Sequence, residues 1–266
     1  MLKTLFRKRK KEKYGWFGDY SSWDKVIAKA GGYDKEVILE RTKNALLKVK
    51  HGEAAYERDS VTFDKKEYPH ALIAFLQLSA SLKKRPIHIL DFGGSLGTTY
   101  YQVKEFLTPA LCASWNIVEQ PHYVSCGKAN FADDTLKFYG SIDECLAEKK
   151  IDLALLSSSV QYLEKPHVFL RELALYNFSF ILFDRTAFHH APNCRLTLQI
   201  VPPEIYPASY PSWFFHEQVF LSHFSNQYKT VAEFPSYVEG ESVMCIDEKP
   251  VATNKGFYLI NLSENA

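Results

Sequence analysis

The fold is decided by the stretch Pro86-Ile-His-Ile-Leu-Asp91-Phe-Gly93-Gly94-Ser-Leu-Gly97-Thr-Thr-Tyr100. It predicts a short apolar strand that ends in an acid, a turn through glycines and then a helix. Glycines in such a turn let the backbone approach a ligand that a Cβ atom would push away, and the first turn of the helix offers unpaired N–H groups. The stretch is therefore typical of a nucleotide-binding unit.

Asp91 changes the ligand that this turn is expected to bind. A carboxylate at the end of the strand would repel a pyrophosphate at the helix N-terminus, whereas it could accept a hydrogen bond from the ammonium of an amino-acid moiety. The order Asp-x-Gly-Gly-x-x-Gly resembles motif I of the class I S-adenosylmethionine (SAM) dependent methyltransferases. The resemblance implies SAM as the cofactor.

After Pro86, apolar strands alternate with helical segments, which is the pattern of right-handed βαβ units in a parallel sheet. Two closing strands, near 228–234 and 256–262, follow each other without a helix and indicate an antiparallel edge pair. The fold prediction is α/β: a Rossmann-like class I methyltransferase fold with a mostly parallel seven-stranded sheet and an N-terminal helical cap. The first five strands are predicted at 87–91, 114–119, 136–139, 151–157 and 178–184, and the helices at 95–107, 123–130, 142–149, after Pro166, and 213–224.

The chain divides by pattern into three parts: a basic arm (1–13), a helical cap (14–84) and a SAM-binding Rossmann-like methyltransferase domain (85–266). Between Tyr14 and Ser81 the apolar spacing predicts helices separated by turns. Residues 185–212 hold five prolines, several aromatics and two adjacent histidines, so we expect an irregular lid or binding loop there. The segment 248–255 is polar and predicts a turn.

Charge is nearly balanced, with 32 basic and 31 acidic residues, which argues against a nucleic-acid partner. The arm differs, because residues 1–13 hold seven basic side chains and one acidic one. It is either a solvated tail or a weak contact with an anionic membrane surface, since Met1, Leu2, Leu5 and Phe6 accompany the lysines.

The five cysteines are odd in number and show no Cys-x-x-Cys spacing. This argues against a disulfide framework and a structural zinc site, and no metal is expected. No apolar run is long enough to cross a bilayer. We therefore expect a cytoplasmic protein, with a peripheral position at the inner face of the membrane as the alternative. The sequence leaves the oligomeric state open.

A second resemblance covers residues 14–263. The opening Trp16-Phe-Gly18-Asp19-Tyr20-Ser-Ser22-Trp23 is similar to the Trp-x-Gly-Asp-aromatic-x-Ser-Trp motif of a bacterial methyltransferase family, and Gly32-Tyr33-Asp34 and Asp184-Arg185-Thr186 fit its later elements. Members resemble class I SAM methyltransferases and are often associated with surface-polysaccharide biosynthesis. The resemblance implies fold and cofactor well and the acceptor poorly.

The predicted cofactor site lies at the carboxyl ends of the strands, where open α/β sheets bind ligands. Glu119, followed by Gln120, could accept hydrogen bonds from both ribose hydroxyls. The resemblance further implies that the motif I residues line the methionine end, that Ser141 or Ile142 contacts the adenine, and that the segment from Ser158 and Ser159 to Tyr162 borders the transferred methyl. Candidates to close the pocket from the cap are Tyr14, Trp16, Tyr33 and Tyr68.

The catalytic candidates follow the fifth strand: Asp184, Arg185, His189 and His190. A histidine there could take a proton from the acceptor because its ordinary pKa is near neutrality, although a structural hydrogen bond is the alternative. The leading hypothesis is SAM-dependent O-methylation of a small polar glycan or glycan-linked acceptor. The alternatives are an oxidoreductase that binds NAD or a nucleotide sugar, and a non-catalytic protein that binds SAM or a glycan.

Overall fold

The computed structural model describes residues 13–31 and 35–265, and their strands join into one large sheet and a separate two-stranded hairpin. The strands are β1 (Gly15–Phe17), β2 (Tyr56–Arg58), β3 (Val61–Phe63), β4 (Ile87–Phe92), β5 (Cys112–Val118), β6 (Leu136–Tyr139), β7 (Leu153–Ser157), β8 (Phe180–His189), β9 (Arg195–Ile200), β10 (Ser209–Phe214), β11 (Tyr228–Pro235), β12 (Met244–Ile246) and β13 (Lys249–Asn261). The α-helices are α1 (Trp23–Ile27), α2 (Lys35–Lys50), α3 (His70–Lys83), α4 (Thr98–Val103), α5 (Pro121–Asn130), α6 (Ile142–Glu148), α7 (Pro166–Leu175) and α8 (Glu217–Ser222). Short 3-10 helices cover Lys104–Phe106, Val160–Tyr162 and Leu262–Asn265.

The centre of the sheet has the strand order β6-β5-β4-β7-β8-β13-β11. Neighbours from β6 to β8 are parallel, whereas β13 runs antiparallel to both β8 and β11. The predicted Rossmann-like sheet with five parallel strands followed by an antiparallel pair is therefore confirmed. The described residues form eleven strands in this sheet and not the predicted seven, and β13 does not lie at its edge.

Four further strands extend this sheet, and the sequence did not predict them. β12 pairs with β13, β1 lies between β12 and β9, and β10 pairs with β9. The expected irregular loop at 185–212 is thus mostly the end of β8, the strand β9 and the start of β10. The expected helix at 213–224 begins only at Glu217, because Trp213 and Phe214 belong to β10, and the expected turn at 248–255 is the first half of β13.

Two hydrophobic clusters cover the two faces of the sheet, and the alternation of side chains along each strand assigns residues to them. On β4, Ile89 packs in the cluster that includes residues of α3, α4 and α5, whereas Leu90 packs in the cluster that includes residues of α6, α7 and α8. Helices therefore lie on both faces, and the carboxyl ends of the parallel strands are left open at one edge.

The N-terminal part contains the three predicted helices as α1, α2 and α3, but it is not wholly helical. β1 joins the large sheet, and β2 and β3 form an antiparallel hairpin. Leu72, Leu76 and Ala80 of α3 pack in the same cluster as Ile87 of β4, so the core crosses the predicted boundary at residue 84.

The basic arm lies outside the described residues except for Lys13. None of the helices formed by residues 13–31 and 35–265 is long and apolar enough to span a bilayer.

Candidate functional site

A cavity of about 710 Å³ lies at the carboxyl ends of β4, β5, β7 and β8. The turn after β4 contributes Gly93, Gly94 and Ser95 to its wall, and residues from the N-terminal part close it on the other side. The position is the one expected for a ligand of an open α/β sheet.

The glycine turn is packed so tightly that side chains are excluded at two positions. Gly93 has φ +73°, and a Cβ atom on it would lie 2.7 Å from Cβ of Ser159. A Cβ atom on Gly94 would lie 2.5 Å from Cγ of Asp91. The turn therefore presents bare backbone to the cavity.

Asp91 packs against Gly94 of this turn and does not line the cavity. It is 1% exposed and accepts a hydrogen bond of 2.9 Å from Nε1 of Trp115. Burial raises its pKa to about 7, and the charges of Glu119 and Asp184 add to the shift. The carboxyl that the sequence suggested as a partner for a ligand ammonium is therefore not part of the cavity wall, and a direct contact stays a prediction.

Three other predicted cofactor residues also lie away from the cavity. A Cβ atom on Gly97 would meet Cδ2 of Leu136 at 3.3 Å, so this glycine allows close packing of α4 on the sheet. Ser141 caps α6 by accepting a 3.0 Å hydrogen bond from the backbone N–H of Glu144, and Ile142 is buried in the core. Tyr33 lies outside the described residues.

Glu119 and Gln120 line the cavity at the end of β5. The carboxylate of Glu119 accepts a hydrogen bond of 2.7 Å from the backbone N–H of Gln120. Burial raises the pKa of Glu119, while backbone hydrogen bonds from Gln120 and Ser95 oppose that shift. The acid is thus held in place by backbone donors, with its carboxylate beside the glycine turn.

The segment after β7 contributes Ser158, whose φ is +52°. Its Oγ atom accepts a 3.2 Å hydrogen bond from Nε2 of Gln161, which also donates to the carbonyl of Arg185 at 3.2 Å. Ser159 packs against Gly93 and does not line the cavity.

Asp184 and Arg185 lie at a bulge where β8 leaves the core. Opposite them on β13 there is the single residue Gly256, since Phe183 pairs with Phe257 and Thr186 with Lys255. Bulges re-aim side chains, and Arg185, with φ +48°, lines the cavity, while Asp184 stays buried and accepts a 2.8 Å bond from Oγ of Ser157. Burial raises the pKa of Asp184.

Arg185 is tied to Glu241 by two hydrogen bonds, from Nε to Oε2 at 3.1 Å and from Nη2 to Oε1 at 2.6 Å. Both side chains are largely buried, with 12% and 18% of their surface exposed. The pair therefore acts as a rigid, internally neutral part of the wall.

His189 and His190 are not brought to the cavity. β8 continues past Asp184 to His189, which places this histidine roughly 16 Å further along the strand at about 3.3 Å per residue. The N–H of His189 donates to the carbonyl of Phe215, and that of His190 to the carbonyl of Val251. Burial lowers the pKa of His189. The structure gives neither histidine the position of a base.

The β2–β3 hairpin supplies site residues that the sequence reasoning missed. Asp59 and Ser60 form its two-residue turn with φ values of +53° and +67°, and both line the cavity. Glu57 is 2% exposed and accepts hydrogen bonds of 2.6 Å from Oγ1 of Thr98 and from the backbone N–H of Ser60. Burial raises the pKa of Glu57 to about 7.

A second cavity of about 370 Å³ adjoins the first. The two share wall residues from four segments: Asp59, Ser158, Tyr162, Arg185, Tyr206 and Tyr210. The hydroxyls of Tyr206 and Tyr210 are 3.2 Å apart, and the rings of Tyr162 and Tyr210 meet edge to face. Burial raises the pKa of all three tyrosines, which are therefore neutral hydroxyls. Together the cavities can hold two ligands side by side.

No protein-family model and no curated protein matches the chain. Among solved structures, a SAM-dependent methyltransferase from Clostridium acetobutylicum is 10% identical with a TM-score of 0.43, covering 71% of this chain and 89% of that one. The magnesium protoporphyrin IX methyltransferase of Synechocystis, solved with bound SAM, is 10% identical with a TM-score of 0.44, covering 72% and 76%. The N-terminal domain of EvdMO1, solved with S-adenosylhomocysteine (SAH) and D-fucose, is 10% identical with a TM-score of 0.46, covering 86% and 97%.

These likenesses, with TM-scores below 0.5, carry no argument. The order and directions of the strands by themselves give the chain a Rossmann-like methyltransferase fold, with a mixed sheet of mostly parallel strands.

Proposed function

We propose that this chain is a SAM-dependent methyltransferase that methylates an oxygen of a small polar glycan or glycan-linked acceptor. The observation that carries the proposal is the placement of the Gly93–Gly94 turn and Glu119 on one cavity, at the carboxyl edge of a Rossmann-like sheet. The adjoining second cavity gives an acceptor a place beside the donor.

The residues of the first cavity fit SAM. The backbone of Gly93 and Gly94 can approach the amino-acid end, and the carboxylate of Glu119 can accept hydrogen bonds from the ribose hydroxyls. The sulfonium and the ammonium give SAM an excess of positive charge, and the cavity presents the carboxylate of Glu119 to it. When bound, SAM supplies an electrophilic methyl group, so that an acceptor oxygen gains a bond to carbon as the carbon–sulfur bond breaks.

We further propose that Asp59 takes the hydroxyl proton that this transfer releases. Asp59 lines both cavities, which places it at their junction, whereas His189 lines neither. Two hydrogen-bonded pairs fix the backbone of β8 beside this junction: Arg185 with Glu241, and Asp184 with Ser157. Alignment of the two ligands and removal of one proton are then what the protein contributes.

The biological setting is proposed from the Trp16–Trp23 motif, whose resemblance is to methyltransferases of surface-polysaccharide biosynthesis. On this view the acceptor is methylated in the cytoplasm, and the basic arm holds the protein weakly at the inner face of the membrane.

Calorimetry with SAM and SAH tests the cofactor. We expect both to bind, and Glu119→Gln to weaken binding roughly 10-fold to 100-fold, because a hydrogen bond to a charged group contributes about 1.5–3 kcal/mol. His189→Ala is the control and should leave both affinities unchanged. Failure of both ligands to bind at millimolar concentration would refute the proposal, and equal effects of the two substitutions would show that the site is assigned wrongly.

Turnover tests the proton acceptor. Asp59→Asn should leave SAH affinity within about 2-fold and slow methyl transfer from radiolabelled SAM to a neutral glycan by about 10²-fold or more, as loss of a general base does. Unchanged turnover in this variant would remove Asp59 from that role.

A further inference from the structure

The second cavity is built on the part of the sheet that extends beyond the Rossmann-like core. Its floor follows the register of the strands: Tyr210 on β10, Gln199 on β9 and Trp16 on β1 stand side by side, as do Asn254 on β13 and Ala187 on β8. Residues in register share one face of a sheet, so these side chains form a continuous surface.

Four residues of the cavity wall carry buried polar side-chain atoms that have no hydrogen-bond partner among the described residues. Oε1 of Gln161, Oε1 of Gln199, Oγ of Ser212 and Oδ1 of Asn254 are buried and have no hydrogen-bond partner in residues 13–31 and 35–265. They are four of the eleven such side-chain atoms in this part of the chain, and all four residues line the one cavity. A buried polar atom without a partner costs about 1–3 kcal/mol, so a cluster of four needs an explanation.

Three of the unpaired atoms are amide oxygens, which only accept hydrogen bonds, and the hydroxyl of Ser212 can accept one as well. The amide nitrogen of Gln161 already donates to Oγ of Ser158 and to the carbonyl of Arg185. The amide of Asn254 is hydrogen-bonded to Glu241 as the donor. Because these amide nitrogens already donate hydrogen bonds within the protein, the amide oxygens are left as acceptors. A ligand rich in hydrogen-bond donors would satisfy them.

Charge and shape narrow the class of ligand. Arg185 is neutralised by Glu241, and Asp59 adds a carboxylate at the junction, so an anion entering this cavity would meet carboxylates and amide oxygens. Trp16 and Tyr206 offer aromatic faces on which the C–H face of a ring can pack. A volume of 370 Å³ is at the small end of ligand sites and suits a single ring.

We infer that the second cavity is the acceptor site and that it binds a neutral polyhydroxylated ring, such as an unphosphorylated hexose unit, through hydroxyl hydrogens donated to Gln161, Gln199, Ser212 and Asn254. Its assignment as the acceptor site rests on the proposed methyltransferase function. The chemical class rests on the cavity itself.

The experiment measures binding of neutral methyl hexosides and of hexose 6-phosphates by saturation-transfer NMR, with and without SAH. We expect the neutral glycosides to bind and the phosphates to bind at least 10-fold more weakly. Gln199→Leu and Ser212→Ala should each weaken glycoside binding about 5-fold to 10-fold while leaving SAH affinity unchanged. Gln227→Leu is the matched control, because Oε1 of Gln227 is also buried and unpartnered but lines neither cavity.

Stability measurements separate a ligand role from a structural one. Removing an unpaired buried hydroxyl should leave the free energy of unfolding of Ser212→Ala equal to or above that of the unsubstituted protein, so weaker glycoside binding in a variant of undiminished stability supports the site. Equal binding of the phosphates, equal loss in Gln227→Leu, or no glycoside binding would overturn the inference. If SAH fails to bind but the glycosides bind as expected, the sugar site stands and the methyltransferase function falls.

Discussion

Gly93→Ala probes whether the glycine turn is held by close packing or only by its backbone conformation. The glycine has φ +73°, a region in which a residue with a Cβ atom costs about 1–2 kcal/mol. The new methyl would also lie 2.7 Å from Cβ of Ser159, which is a backbone-anchored atom that rotation does not move. Overpacking of this kind typically costs about 1–3 kcal/mol. The expected loss in the free energy of unfolding is therefore about 2–5 kcal/mol.

Gly52→Ala isolates the conformational part of this loss. Gly52 has φ +79°, close to that of Gly93, but nothing lies within 4 Å of the position that its Cβ atom would take. It should lose about 1–2 kcal/mol. The difference between the two variants then measures the contact with Ser159, and adding Ser159→Gly to Gly93→Ala should recover most of that difference.

Equilibrium denaturation in urea, with and without SAH, provides the measurement. Gly93→Ala should also lose most of the SAH-induced stabilisation, since the turn borders the proposed cofactor cavity, whereas Gly52→Ala should keep it. Equal destabilisation by the two substitutions would show that the turn does not pack on Ser159 and would refute close packing as the constraint on Gly93.

Two further predictions concern buried acids. Asp152→Asn should lower the free energy of unfolding by about 1.5–3 kcal/mol, because this fully buried carboxylate accepts hydrogen bonds of 3.0 Å and 2.6 Å from Arg85. Lys128→Met, which removes an exposed ion pair, is the control and should change it by less than about 1 kcal/mol. Similar effects of the two substitutions would contradict a stabilising role of the buried Asp152–Arg85 pair. Glu57 has a pKa raised from 4.5 to about 7, so its folded form holds the proton more tightly and its contribution to stability falls as the pH rises through that window. Denaturation at pH 5, 6, 7 and 8 should show that Glu57→Gln becomes more stable relative to the unsubstituted protein as the pH rises. A difference in the free energy of unfolding that does not vary with pH would refute this.

The strands of the core could be predicted because their signals are local. β4 to β7 are short apolar runs bounded by glycine, proline or polar turns, and each is buried on both faces, so composition and spacing locate them within two residues. The same holds for α2 and α3, whose apolar positions recur at helical spacing.

The segment 185–212 was mispredicted because proline was taken as a sign of irregular structure. Pro192 lies in the connection from β8 to β9, and Pro202, Pro203 and Pro207 lie between β9 and β10. Pro211 lies within β10, which is an edge strand, and an edge is where a strand tolerates a residue without an N–H donor. The strands β9 and β10 are extended by pairing of β9 with β1, and β1 lies outside the segment, so this information is not contained in the segment itself.

The site residues of the β2–β3 hairpin were not predicted for a similar reason. Asp59 and Ser60 form a tight turn without the glycine or asparagine that usually marks one, so the hairpin that brings Glu57 and Asp59 to the cavity has no strong local signal. His189 and His190 were predicted as bases because the ordinary pKa of histidine is near neutrality. The length of β8, which the sequence did not predict, places them away from the cavity.

The bulge at Asp184 and Arg185 connects these observations. Before it, β8 is a core strand whose carboxyl end borders the first cavity; after it, the same strand continues beside β13 as part of the floor of the second. Without the extra residue, the alternation along β8 would carry Arg185 and Ala187 to the opposite face, and the Arg185–Glu241 pair could not stand at the junction. Gly256, opposite the bulge, is equally constrained, since a Cβ atom there would lie 2.5 Å from the carbonyl oxygen of Phe183. One irregularity in one strand therefore sets both the separation of the two cavities and the charged pair between them.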